Sequence, residues 1–183
     1  MAVAIAAGSS YFLSGVMQGK SASGDGVEGT VNQDYRAEMK AAILAADATA
    51  RVVEPWDLVA EKVKKIYPEG TQQSEMFKHD IHVRQCFQVC VDAAASSDVV
   101  ISYLPEASMG SAVELSAAFA KGKTIVVIAP GSMAGNWVVR SYANVVLSSL
   151  EELAAWLMWT LQRRHLRFDG PRVPSGYTPL NER

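Results

Sequence analysis

Two short runs, Val99-Val-Ile-Ser-Tyr-Leu104 and Thr124-Ile-Val-Val-Ile-Ala129, constrain the fold more than any other part of the chain. Both are rich in β-branched residues, too short for helices, and closed by a proline, Pro105 or Pro130. An extended run that is apolar on both faces belongs to a strand covered on both sides, as in a parallel sheet packed between helices. The stretch between them reads as a helix. Ser108 can cap its start, and Gly122 stands just past Lys121 at its end. Parallel strands joined through a helix form a right-handed crossover, so residues 99–129 already define one βαβ unit.

The remaining segments repeat this alternation. Ser9 to Gly15 reads as a first strand, and Tyr35, Met39, Ala42, Ile43 and Ala46 recur at helical spacing within residues 32–48. Arg51–Glu54 is a second strand stopped by Pro55, residues 57–66 are helical, and a long helix runs from about Ser74 to Ala95. Asn144–Leu147 reads as a fifth strand, followed by a last helix that Ser148 and Glu151 open as a capping box. The pattern predicts an α/β fold of the doubly wound, flavodoxin/Rossmann-like kind, a five-stranded parallel sheet flanked by helices. A single domain is expected over residues 1–162, with a C-terminal tail containing proline and glycine over 163–183.

Composition narrows the partners. A net charge of −2 gives no electrostatic reason to bind a nucleic acid polymer or an anionic membrane. The opening octet is apolar but short and without basic residues, so no membrane span is expected and the cytoplasm is the expected location. Cys86 and Cys90, four residues apart in one helix, are poorly placed to bridge and read as reduced, buried thiols. His79 and His82 flank Asp80 with no third ligand in view, so no metal site is expected.

In doubly wound sheets ligands bind at the carboxyl ends of the strands. That rim gathers the loop from Gly15 to Gly19, Glu54, the turn Pro105–Gly110 and the loop Pro130–Gly135. The segment Ser14-Gly-Val-Met-Gln-Gly-Lys20-Ser21 nearly spells a P-loop, but more glycine follows where a helix N-terminus is needed, and no Asp ends the Val99–Leu104 strand. A Gly-x-Gly-x-x-Gly turn opening a helix is absent, which argues against a nicotinamide enzyme. Glu114 has only Gly110, Ser111, Ala117 and Ala118 at i±3 and i±4, so it is expected to line a space rather than face water. Asp80, with Phe77, Val83 and Phe87 at helical spacing, is a pocket candidate whose simpler alternative is an ion pair with Arg84. Asp98, between a helix end and a strand, reads as a turn-fixing residue.

The pattern Tyr11-Phe-Leu-Ser-Gly15, the helix residue Asp80, and above all Ser108-Met-Gly-Ser-Ala-Val-Glu114-Leu with its alanine-rich continuation to Gly122 resemble the nucleoside 2-deoxyribosyltransferase superfamily. That superfamily includes the nucleoside 5′-monophosphate N-glycosidases, and the resemblance spans roughly residues 9–160. It implies Glu114 as the nucleophile at C1′ of the sugar, Tyr11 as the hydrogen-bond partner of that carboxylate, and Asp80 as the residue that meets the departing base and its proton. Transferases of this kind carry an Asp six residues before the nucleophile, where the nucleotide hydrolases carry Ser, and this chain has Ser108. Ser108 with the N–H groups near Gly110, together with Gly15, Gly19 and Lys20 of the first loop, would receive a phosphate. Hydrolase relatives carry an Arg just before the second loop glycine; this chain has Gln18 there, leaving Lys20 or Arg140 to substitute. Family members are dimers that borrow site residues, which makes Asn136 and Arg140 candidates from a neighbouring subunit. The resemblance therefore implies a hydrolase cleaving the N-glycosidic bond of (deoxy)ribonucleoside 5′-monophosphates, with a nucleotide or nucleoside as its small-molecule partner, a homodimer or higher homo-oligomer, and neither metal nor organic cofactor. A base-exchanging transferase and a catalytically silent nucleotide-binding module are the alternatives.

Overall fold

The computed structural model describes residues 5–16, 32–68 and 78–162. Strands β1 (Ser10–Gly15), β2 (Arg51–Val53), β3 (Val99–Tyr103), β4 (Thr124–Ile128) and β5 (Val145–Leu147) form one parallel sheet in the order β2-β1-β3-β4-β5. Helices α1 (Asp34–Ala46) and α6 (Leu150–Gln162) cover one face. The other is covered by α2 (Pro55–Ile66), α3 (Asp80–Ser96), α4 (Met109–Ala120) and the short α5 (Trp137–Tyr142), which follows a 3-10 turn at Gly131–Gly135. The predicted doubly wound architecture is the one observed, and its winding direction reverses between β1 and β3, where such sheets open a crevice.

Strand alternation sorts the core into two layers. Tyr11 and Leu13 turn toward α1 and α6, among Met39, Ile43 and Trp156. Phe12 turns the other way with Val100, Leu104, Leu115 and Ala118. Asp98 fixes the strand starts as expected: its Oδ2 accepts from the Ser10 N–H at 2.8 Å and from the Ser10 hydroxyl at 2.7 Å. Those bonds hold its carboxyl below the usual range.

Element ends differ from expectation for local reasons. Helix α2 begins at Pro55, because proline at the first helical position loses no hydrogen bond. Helix α3 begins at Asp80; the expected start near Ser74 lies outside the described residues. The cap of α6 falls one residue later than predicted. Ser149 Oγ accepts from the Glu152 N–H at 3.3 Å, and the Glu152 carboxylate takes the Ser148 N–H at 2.7 Å. Gly19, Lys20 and the tail from 163 also lie outside the described residues. Among the described residues no helix is long and apolar enough to cross a membrane.

Candidate active site

Glu114 lies in the middle of α4 on its sheet-facing side and is only 5% exposed. Ser14, the penultimate residue of β1, donates its hydroxyl to Glu114 Oε2 at 2.5 Å. The pair therefore sits at the carboxyl end of β1, at the reversal point of the sheet. Burial raises the Glu114 carboxyl to about 7, with the Ser14 hydrogen bond and the positive charge of Arg36 pulling against it. A value near neutral lets this carboxyl change its ionisation in the physiological range.

Two other elements bring titratable groups within electrostatic reach. From α1 come Arg36 and Tyr35, and from α3 comes Cys90. Burial chiefly pushes the Cys90 thiol up to about 12, and the Glu114 charge adds to the shift. Tyr35 is likewise pushed up to about 12, first by burial. Its hydroxyl donates to the Val16 carbonyl at 3.2 Å, and its ring packs against Tyr103 with centroids 4.9 Å apart. Gly15 lies under that ring: a Cβ there would stand 2.5 Å from the Tyr35 hydroxyl oxygen.

The N-terminus of α4 opens on a cavity of about 230 Å³ whose lining includes Ala112 but not Glu114 or Ser14. Ser108 caps the helix, accepting from the Ser111 N–H at 3.3 Å and from its hydroxyl at 3.1 Å. Met109 and Gly110 thus hold first-turn N–H groups that have no partner within the helix. Ser108 and Asn136 line the cavity together, with Leu104, Met133 and Val138 as apolar wall. Asn136 caps α5, its Oδ1 accepting from the Val138 N–H at 2.9 Å. Ser108 and Asn136 of the same chain thus line one cavity. Arg140 is exposed on α5 and does not line the cavity. Glu54, on the same rim, is paired with Lys40 at 2.6 Å.

Two residues implied by the resemblance fall elsewhere. Tyr11 lies on the opposite face of the sheet from Glu114, and its buried hydroxyl has no hydrogen-bond partner. The bond to the carboxylate that the resemblance assigned to Tyr11 is made by Ser14 instead. Asp80 is exposed at the first residue of α3. Helices α3 and α4 run side by side with Phe87 level with Gly110, whose missing Cβ would lie 3.6 Å from the Phe87 ring. At about 1.5 Å per residue, Asp80 stands about 10 Å above that level and Glu114 about 6 Å below it. The two carboxyls are not brought together, and Cys90 is the α3 residue that faces Glu114. Among the described residues no group of three His, Cys, Asp or Glu is placed to hold a metal.

The fold and this cluster define a doubly wound α/β protein with a buried carboxyl at the switch point of its sheet. Solved structures resemble this fold. A conserved protein from Enterococcus faecalis V583 matches with a TM-score of 0.53 at 16% identity, over 81% of this chain and 96% of its own. A 2-deoxyribosyltransferase from Bacillus psychrosaccharolyticus matches with a TM-score of 0.48 at 14% identity, over 81% of this chain and 95% of its own. A CMP N-glycosidase from Clostridium botulinum matches with a TM-score of 0.44 at 14% identity, over 81% and 96%. At these identities the likeness is one of fold. No protein-family model and no curated protein matches the chain.

Proposed function

We propose that this chain is an N-glycosidase of nucleoside 5′-monophosphates with Glu114 as its nucleophile. The observation that carries the reading is the buried Ser14–Glu114 pair, 2.5 Å apart at the reversal of the sheet. A carboxylate shielded from water is what an oxocarbenium-like transition state requires beneath C1′. Ionised Glu114 attacks C1′, the C1′–N bond breaks, and its electron pair passes to the base nitrogen, which takes a proton from solvent, since Asp80 stands too far away. Water then attacks C1′ of the glycosyl ester, loses a proton, and releases sugar 5-phosphate with Glu114 regenerated. The capped N-terminus of α4, with Ser108 and the N–H groups of Met109 and Gly110, suits the phosphate dianion. Met109 and Trp137, 91% and 84% exposed, supply apolar surface for the homodimer that belongs to this reading.

Base exchange is the second reading. In it a second base, rather than water, resolves the same intermediate. Chromatography of free base after incubation with ribo- and deoxyribonucleoside monophosphates, matching nucleosides and an added second base separates the outcomes. Release from monophosphates alone is expected, and Glu114→Gln lowers it by on the order of 10³-fold or more. Exchange on nucleosides would favour the transferase. Nucleotide binding without cleavage would leave a binding module and overturn the nucleophile assignment.

A further inference from the structure

Near the carboxyl end of β1 two buried hydrogen-bond donors have no partner among the described residues. The first is Ser102 on β3, wholly buried, with no partner for its hydroxyl. Ser102 pairs in register with Ser14, and it shares the α4-facing side of β3 with Val100 and Leu104. Adjacent strands lie about 4.8 Å apart, so the Ser102 hydroxyl is one strand away from the hydroxyl that holds Glu114.

The second idle donor is Nη2 of Arg36, which is buried and unpartnered on a side chain only 3% exposed. The break in the β1–β2 ladder explains why a guanidinium is there at all. Arg51 N–H donates to the Ser9 carbonyl at 3.1 Å, and odd-numbered carbonyls of β1 point toward β2. In this register the Leu13 carbonyl needs the N–H of residue 55, which is Pro55 and has none. Arg36 Nη1 fills the place, donating to the Leu13 carbonyl at 2.5 Å, while its Nε donates to Gln33 Oε1 at 2.8 Å. Both acceptors are neutral, and among the described residues no anion contacts the cation. The residue after Leu13 is Ser14, and the one strand end therefore fastens the guanidinium and Glu114 alike.

Idle buried donors cost a fold stability and call for a reason. We propose that Ser102 is a positioning residue held in reserve for the ionised form of Glu114, engaging it by hydroxyl rotation once its proton has left, while Arg36, fixed by its bonds to Leu13 and Gln33, supports that form through its charge. The proposal rests on the reading of Glu114 as nucleophile. Among the described residues, the groups that bear on Glu114 are Ser14 and Ser102 from the sheet, Cys90 from α3, and, through charge from α1 on the other face, Arg36 and Tyr35. Tyr35 and Cys90, both pushed up to about 12, stay neutral through the range in which Glu114 titrates.

The test needs no turnover. Titration of Glu114 is followed by carbon-13 NMR of carboxyl-labelled protein, assigned with Glu114→Gln, in the native chain and in Ser102→Ala, Arg36→Lys and Arg36→Met. Denaturant midpoints of the same proteins are taken at pH 5 and pH 8. Ser102→Ala and Arg36→Met are expected to move the titration upward by about one unit, about tenfold in ionised fraction below the midpoint, with Arg36→Lys intermediate. Ser102→Ala leaves the midpoint at pH 5 unchanged or raised and lowers it at pH 8, a split that a merely structural serine would not give. Should Arg36→Met fail to fold for want of the Leu13 bond, Ser102→Ala and Arg36→Lys carry the test. An unmoved titration in both, or equal losses at the two pH values, overturns the proposal. A moved titration without base release rejects the hydrolase and keeps the reserve donor.

Discussion

At the scale of single residues, the ionisation of Glu114 governs both rate and stability. If Glu114 is the nucleophile, kcat/KM rises with pH through about 7, the value at which the buried carboxyl loses its proton. Ser14→Ala removes a hydrogen bond to the charged form and moves that rise upward, which a pH–rate profile reads directly. Stability runs the other way. Folding raises this carboxyl from 4.5 to about 7, so in that window the native state holds a proton that the unfolded chain has released. The associated stability is complete below 4.5 and is lost as pH rises through about 7. At about 1.4 kcal/mol per unit the loss is about 3 kcal/mol, and Glu114→Gln removes the slope in denaturation measured across that range. Glu114 was legible in the sequence because its helical neighbours are small. Ser14 and Ser102 also left a signal, each being a polar residue inside an otherwise apolar strand end. Alternation alone separates Tyr11 from Ser14, three residues apart on a strand and so on opposite faces. Arg36 was not legible, because its place depends on where β2 stops against β1, a matter of register.

At the scale of elements, the strands and most helices follow from apolar runs bounded by Pro, Gly and Ser, and those were legible. The helix ends were less so. Ser148 and Ser149 offer equivalent hydroxyls, and only the packing of α6 selects the second as the cap of Glu152. The join of β1 to α1 depends on a contact that no local pattern announces. Gly15 lies where the Tyr35 ring closes over the strand end, and that ring is held by Val16 and Tyr103. Gly15→Ala is expected to cost about 1–3 kcal/mol through overpacking, seen as a lower Tm. Tyr35→Phe in the same background should recover part of the loss, since the nearest contact is the hydroxyl oxygen.

At the scale of the whole molecule, the apolar rim of the cavity invites company. Met109 and Trp137 are exposed at its edge, and Val113 and Phe87 extend the surface at 45% and 40% exposure. A homodimer is expected by light scattering, with Met109→Asp or Trp137→Glu halving the mass; a native monomer would refute it. The sheet order has a kinetic side as well. Ser14 and Glu114 are 100 residues apart in sequence, and the bonds of Ser10 to Asp98 span 88. Closing loops of that length comes before the contacts that reward it, so such pairings form slowly and late. During synthesis β1 waits, apolar and unpaired on the side that β3 will occupy, until half the chain has emerged. Refolding should therefore regain helical signal before it regains the Ser14–Glu114 bond, and any enzyme activity that depends on that bond should return only with the slowest phase.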